Sequence, residues 1–169
     1  MLLLIENIQQ NLLKMKILQK QISWECGRWL FNIHGILEKD YKNKGEKMKK
    51  LTCHCGGVEA EVNVPEKGFE KIMRCNWSIC KTKGYIIGVI GPDDFKLVKG
   101  EDLLTLYKFK TKTAQHYFCK VCGIHTHNRP RINPKIYGVN IACVEGIKPF
   151  EIKNVPVNDG ENHPLDQKK

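Results

Sequence analysis

Seven of the chain's eight cysteines lie between positions 53 and 143, and four of them form two close pairs. Cys53-His54-Cys55 is followed by Gly56-Gly57, and Cys119-Lys120-Val121-Cys122 is followed by Gly123. Two sulfurs this near in sequence meet at one point only if the backbone curls into a tight turn. A glycine after the second cysteine permits the positive φ such a turn needs and lets backbone N–H groups approach sulfur. Two knuckles of this kind supply four thiolates, a donor set that suits a tetrahedral structural zinc. Much of a domain separates the pairs, so the metal would clamp distant strands and its binding would be part of the folding free energy. Cys-x-x-Cys is also a redox motif, but the βαβ surroundings of that motif are missing here. A disulfide framework is the other common use of many cysteines. Residues 1–5 are apolar, but Glu6 breaks the run and no basic start precedes it. No secretory signal is therefore expected, the setting is taken as cytoplasmic, and the thiols are expected to stay reduced.

At 169 residues the chain has room for one domain of about 120 residues and an extension. A hydrophobic fraction of 41% excludes wholesale disorder, and no run of about 18 apolar residues offers a membrane span. Residues 1–47 differ in kind from the rest of the chain. Ile5, Ile8, Leu12, Met15 and Ile22 fall near helical spacing among Gln, Asn and Lys. Residues 40–50 are polar, contain a glycine and read as a linker, and Met48-Lys-Lys-Leu-Thr-Cys reads as a natural beginning. The expected division is a helical or disordered extension over 1–47, a zinc-binding β domain over 48–155 and a tail over 156–169. Residues 48–169 carry 20 basic and 13 acidic side chains. That excess is compatible with a nucleic-acid partner. The basic runs are short, however, and do not interleave with aromatics as a stacking platform would require.

From Leu51 onward the periodicity is that of strands. Val58, Ala60, Val62 and Val64 alternate with polar residues until Pro65. Strands are also expected at 85–90, 95–98, 104–109, 115–118 and 136–143, punctuated by Gly and Pro. The fold class is therefore mainly β.

A third cysteine cluster is Cys75-Asn76-Trp77-Ser78-Ile79-Cys80. Two thiolates five residues apart can share a metal without filling its coordination shell, which is the arrangement a catalytic zinc needs. Two buried cysteines with no metal are the plainer alternative. Cys143, between Ala142 and Val144, reads as a small packed residue. His116 and His125 flank the second knuckle and are candidates for a catalytic or metal role, with structural hydrogen bonding as the alternative. Residues 128–134 read as a rigid basic loop in which Arg129 or Arg131 can pair with a substrate carboxylate.

The motifs Cys-His-Cys-Gly-Gly, Arg-Cys-Asn-x-Ser-Ile-Cys-Lys, His-Tyr-Phe-Cys-x-x-Cys-Gly-Ile-His and Val-Asn-Ile-x-Cys occur here in that order. Together they resemble the glutathione-dependent formaldehyde-activating enzyme and centromere protein V family, over roughly residues 51–150. The resemblance implies a β-tent fold with two zinc positions. The first carries over to Cys53, Cys55, Cys119 and Cys122. The second uses a Cys-x-Cys-x-x-Cys cluster, whose outer members match Cys75 and Cys80 and whose middle member is replaced by Trp77. An indole N–H is a donor only and cannot ligate a metal. His116, His125, His127 and Cys143 are the side chains that could make good the missing ligand.

What the resemblance implies about activity is a zinc-dependent carbon–sulfur lyase, an S-(hydroxymethyl)glutathione synthase-like enzyme joining a small aldehyde to a thiol such as glutathione. Trp77, His116, His125, Arg129 and Arg131 are the substrate-binding candidates. Two other readings stand beside it. One is a non-catalytic zinc module whose second metal position Trp77 has degraded. The other is a nucleic-acid-associated zinc protein. No membrane partner is expected.

Overall fold

The computed structural model describes residues 46–163. The expected helical extension and the final residues of the expected tail lie outside them. The described residues fall within one compact unit that begins at Gly45.

The chain runs β1 (Glu46–Thr52), β2 (Glu59–Pro65), β3 (Ile72–Cys75), α1 (Ser78–Lys83), β4 (Ile87–Ile90), β5 (Phe95–Lys99), β6 (Leu104–Tyr107), β7 (Gln115–Cys119), β8 (His125–Arg129), β9 (Tyr137–Asn140) and β10 (Val157–Asn158). Short 3-10 turns punctuate the later strands. Two sheets result, one of three strands in the order β1-β2-β5 and one of seven in the order β10-β3-β4-β9-β8-β7-β6. The pairing is antiparallel except where β10 lies parallel to β3. The mainly β reading holds.

The alternation read in residues 58–64 does the packing expected of it. Ala60, Val62 and Val64 are buried and join Leu51, Ile90, Val139 and Val144, with Phe69, Phe95, Leu97 and Tyr137 packed around them. Full burial of each Val or Leu stabilises the fold by about 1.5–3 kcal/mol relative to exposure. The other face of β2 carries Glu59 and Glu61. Glu59 meets Lys50 at 3.0 Å and Lys99 at 3.7 Å, and Glu61 meets Lys96 at 3.9 Å. Exposed pairs of this kind contribute little. Backbone bonding also ties the two sheets. Leu51 bridges to Val144, and Glu145 N–H donates to the Lys50 carbonyl at 2.8 Å.

Several expectations change. Residues 46–50 are strand rather than linker, because β1 pairs with β2 from Glu46↔Pro65 to Thr52↔Glu59. The last clear strand stops at Asn140, where the Asn140 side chain accepts from Ala142 N–H and turns Ile141–Cys143 into a 3-10 turn. Asn128 and Arg129 belong to β8, so the basic loop starts only after them. Part of the expected tail is structural, since Val157 and Asn158 pair with Arg74 and Cys75. Among the described residues no helix is long and apolar enough to cross a membrane.

Among the described residues, a chain shortened to begin at Met48 loses only the Glu46 and Lys47 pairs at the outer end of β1. It is expected to unfold cooperatively within a few degrees of the full chain. An insoluble or non-cooperative shortened chain would show that residues 1–47 carry part of the core.

Candidate metal centre and histidine site

The two knuckles take nearly the same form. After β1, Cys53 N–H donates to the Val58 carbonyl at 3.0 Å and Gly56 N–H to the Cys53 carbonyl at 3.0 Å. At the end of β7, Cys119 N–H donates to the Ile124 carbonyl at 3.0 Å and Gly123 N–H to the Cys119 carbonyl at 2.8 Å. Gly56 and Gly123 sit at φ 72° and 73°, the left-handed conformation expected of them. The result is one cluster. Cys53 Sγ lies 3.5 Å from Cys55 Sγ, which lies 3.7 Å from Cys119 Sγ. With Cys122, the four sulfurs fall within 4.8 Å of one another. A tetrahedron with metal–sulfur bonds of about 2.3 Å has edges of about 3.8 Å, so the set could hold a metal ion after a small contraction.

Val58 N–H donates to Cys53 Sγ at 3.2 Å. The Ile124 N–H beside Cys122 holds its thiol down at about 6. Both interactions favour the thiolate that a metal requires. Cys53 and Cys119 are buried against Val58, with Leu97, Leu103, Leu104 and Ile124 around them.

The second cysteine pair is differently made. Cys75 ends β3 and Cys80 points inward from α1, buried to 8% exposure. Cys75 Sγ accepts from Trp77 N–H at 3.4 Å and from Asn158 Nδ2 at 3.7 Å. A hydrogen bond from Cys80 holds the Cys75 thiol down at about 6 and pushes the buried Cys80 thiol far up. Gly160 crosses so closely that a Cβ there would lie 2.7 Å from Trp77 Cβ and 2.8 Å from Cys75 Sγ. The C-terminal strand and its turn thus strap the pair in place. Among the described residues no third His, Cys, Asp or Glu joins Cys75 and Cys80 at metal-binding distance.

An irregularity in β8 decides which histidines stand near this pair. Tyr117 pairs with His127 but Phe118 pairs with His125, so one step along β7 spans two along β8. Such a bulge reverses the side-chain alternation. His127 and Arg129, two residues apart in the regular part of β8, share a face. The His127 ring stacks on Tyr117 and packs on Phe95, each at 4.5 Å, and Arg129 bonds the Tyr137 hydroxyl with its guanidinium over that ring. His125 turns to the opposite side, where its ring meets Tyr85 at 4.7 Å and the Tyr85 hydroxyl donates to Asn128 Oδ1 at 3.3 Å. His116, opposite Asn128 in the register, lies 6.0 Å from His125 and 6.2 Å from Trp77 between ring centroids. Phe109 packs on Trp77 at 4.7 Å, with the Arg131 guanidinium 5.2 Å from the indole.

Of the candidates read from the sequence, Trp77, His116, His125 and Arg131 thus come together beside Cys75 and Cys80, whereas Arg129 and His127 do not. Cys143 packs against the core and donates to the His125 carbonyl at 3.8 Å. Sequence reading missed Lys83, whose Nζ lies 2.9 Å from His125 Nδ1. Its only signal was its place three residues after Cys80, on the same face of a helix.

Burial sets the electrostatics. It lowers Lys83 to about 8 and, with Lys83 nearby, lowers His116 to about 4 and His125 to about 2. His127 falls to about 3, again chiefly through burial. These rings are neutral in the folded protein at pH 7, while the unfolded chain takes up protons near 6.5. Between pH 6.5 and about 4 the unfolded state binds more protons, so stability is lost as the pH falls through that window. His116→Gln is expected to flatten the decline of Tm over this range relative to the native chain, and an unchanged slope would contradict the assignment. For the four-thiol cluster, Cys119→Ala is expected to abolish metal binding and cooperative folding together. A well-folded, metal-free Cys119→Ala protein would show that the cluster is no clamp.

The chain is similar to known proteins. The family model described as glutathione-dependent formaldehyde-activating enzyme matches residues 48–155. A protein of Emericella nidulans carrying the name of a glutathione-dependent formaldehyde-activating enzyme is 29% identical over 99 residues, which are 57% of this chain and 50% of the relative. The chain thus spans about half the length of that curated relative. A Rhodobacter sphaeroides protein of known crystal structure is 46% identical, with a TM-score of 0.61 over 64% of this chain and 99% of that one. With the family model covering more than half of its length, the chain belongs to the glutathione-dependent formaldehyde-activating enzyme family.

Proposed function

We propose that the chain is a zinc protein acting as a carbon–sulfur lyase on the adduct of formaldehyde with a thiol such as glutathione. Membership of the formaldehyde-activating family over residues 48–155 carries this reading. The thiol sulfur attacks the aldehyde carbon, a C–S bond forms, and the C=O π pair moves to oxygen. The proton lost by the thiol ends on that oxygen, giving a hydroxymethyl thioether, and the reverse reaction releases the aldehyde.

Cys53, Cys55, Cys119 and Cys122 would hold the zinc. When bound there it supplies a cross-link with a closed shell rather than an open reactive position. The second position does not fit a zinc in the same way. Cys75 and Cys80 offer two thiolates, Trp77 offers a donor-only nitrogen, and the described residues bring no third His, Cys, Asp or Glu to them. The reaction is therefore written without a second metal. Lys83 and Arg131 are cationic groups suited to the carboxylates of a peptide thiol, and Trp77 and Phe109 supply an apolar wall. The missing third ligand also favours a second reading, a non-catalytic binding module in which Trp77 fills the place of a ligand.

Zinc content and turnover separate the two. The native chain is expected to bind about one zinc and to form the glutathione–formaldehyde adduct slowly. Trp77→Cys is expected to raise zinc to about two per chain and to raise turnover. No activity in either protein would leave the module reading. Two tightly held zincs in the native chain would show a ligand beyond those named.

A further inference from the structure

Four buried nitrogen atoms on three adjoining side chains have no hydrogen-bond partner: Trp77 Nε1, His116 Nδ1 and Nε2, and His125 Nε2. His116 is 2% exposed and His125 6%. Buried polar atoms are nearly always paired, and an orphan points to a partner that the protein itself does not supply. Three adjoining rings sharing this property make a site.

Lys83 sets the polarity of that site. An ammonium group has donors and no acceptor. At 2.9 Å from His125 Nδ1 it can only donate, so Nδ1 carries the lone pair and the ring proton sits on Nε2. Trp77 Nε1–H is a donor by its chemistry. His116 is a neutral ring with one N–H and one lone pair. Among the described residues, the groups around these rings include Cys75 of β3, Lys83 of α1, Tyr85 before β4, Lys110 after Phe109, His127 of β8 and Arg131 after β8. None of these is a carboxylate. His125 is also unsuited to a metal, since one nitrogen faces an ammonium and the other bears the proton.

We propose that Trp77, His116 and His125 form a binding site for the acceptor oxygen of a small planar carbonyl compound. His125 Nε2–H is the principal donor, and Lys83 is the positioning residue that fixes its tautomer. Identifying that oxygen as the aldehyde's rests on the lyase reading, in which these donors would meet the negative charge that develops on oxygen as sulfur adds. The tautomer and the acceptor site do not depend on that reading.

The test is nuclear magnetic resonance on the full chain with 15N-labelled histidine and tryptophan, titrated with formamide as a neutral carbonyl probe. His125 is expected as the Nε2–H tautomer. Formamide up to about 100 mM, the range of weak fragment binding, is expected to shift the His125 Nε2–H and Trp77 indole resonances together. Lys83→Met should release the tautomer and weaken formamide binding about fivefold to tenfold, the effect of one hydrogen bond. Lys83→Arg, still a donor without an acceptor, should preserve both. A His125 protonated at Nδ1 in the native chain, or resonances that do not move with formamide, would overturn the inference even if lyase activity is found. A chain that passes these tests but turns over no adduct would keep the site and lose the lyase reading.

Discussion

Four sulfurs gathered within 4.8 Å of one another are the constraint on which the rest of the structure leans. Thiolates that close repel one another unless a cation lies between them. The cluster stands where β1 of the three-stranded sheet ends and where β7 of the seven-stranded sheet ends. A metal held there would fix the spacing of the two sheets at one end, and the apolar core from Leu51 to Val144 fills the space beyond it. Backbone N–H groups donate to Cys53 and Cys122, which favours the thiolate form that a metal would need.

The end of β7 that carries Cys119 also borders an irregularity in pairing. Its partner β8 carries one extra residue at Thr126, and that bulge turns His125 towards His116, away from the face of His127 and Arg129. Trp77, on the short stretch between β3 and α1, completes the row of rings. A chain with regular β8 pairing would place His125 on the face of His127 and away from Lys83. The grouping of polar rings beside Cys75 and Cys80 therefore depends on a register irregularity close to the four-thiol cluster.

Cysteine spacing made the four-thiol cluster legible, because ligand pairs in glycine-closed turns have few other uses. The alternation in residues 58–64 revealed the core strand equally well. Less visible were β3, β8 and β10. Ile72–Cys75 is too short for a period to register, His125–Arg129 is polar throughout although four of its five residues are buried, and Val157–Asn158 is held by pairing with Arg74 and Cys75 rather than by burial. The strand at 46–50 was hidden by its lysines, which suit a strand edge facing solvent as well as they suit a linker. His116 and His125 were singled out from their flanking positions alone. That they share a site while His127 does not is a matter of the bulge, which leaves no mark in the sequence.

X-ray absorption at the zinc edge of the purified full chain tests the central claim most directly. Four sulfur scatterers at about 2.3 Å are expected, with no nitrogen or oxygen in the inner shell. A shell of mixed sulfur and nitrogen, or a folded chain that carries no zinc, would contradict a four-thiolate clamp between the two sheets.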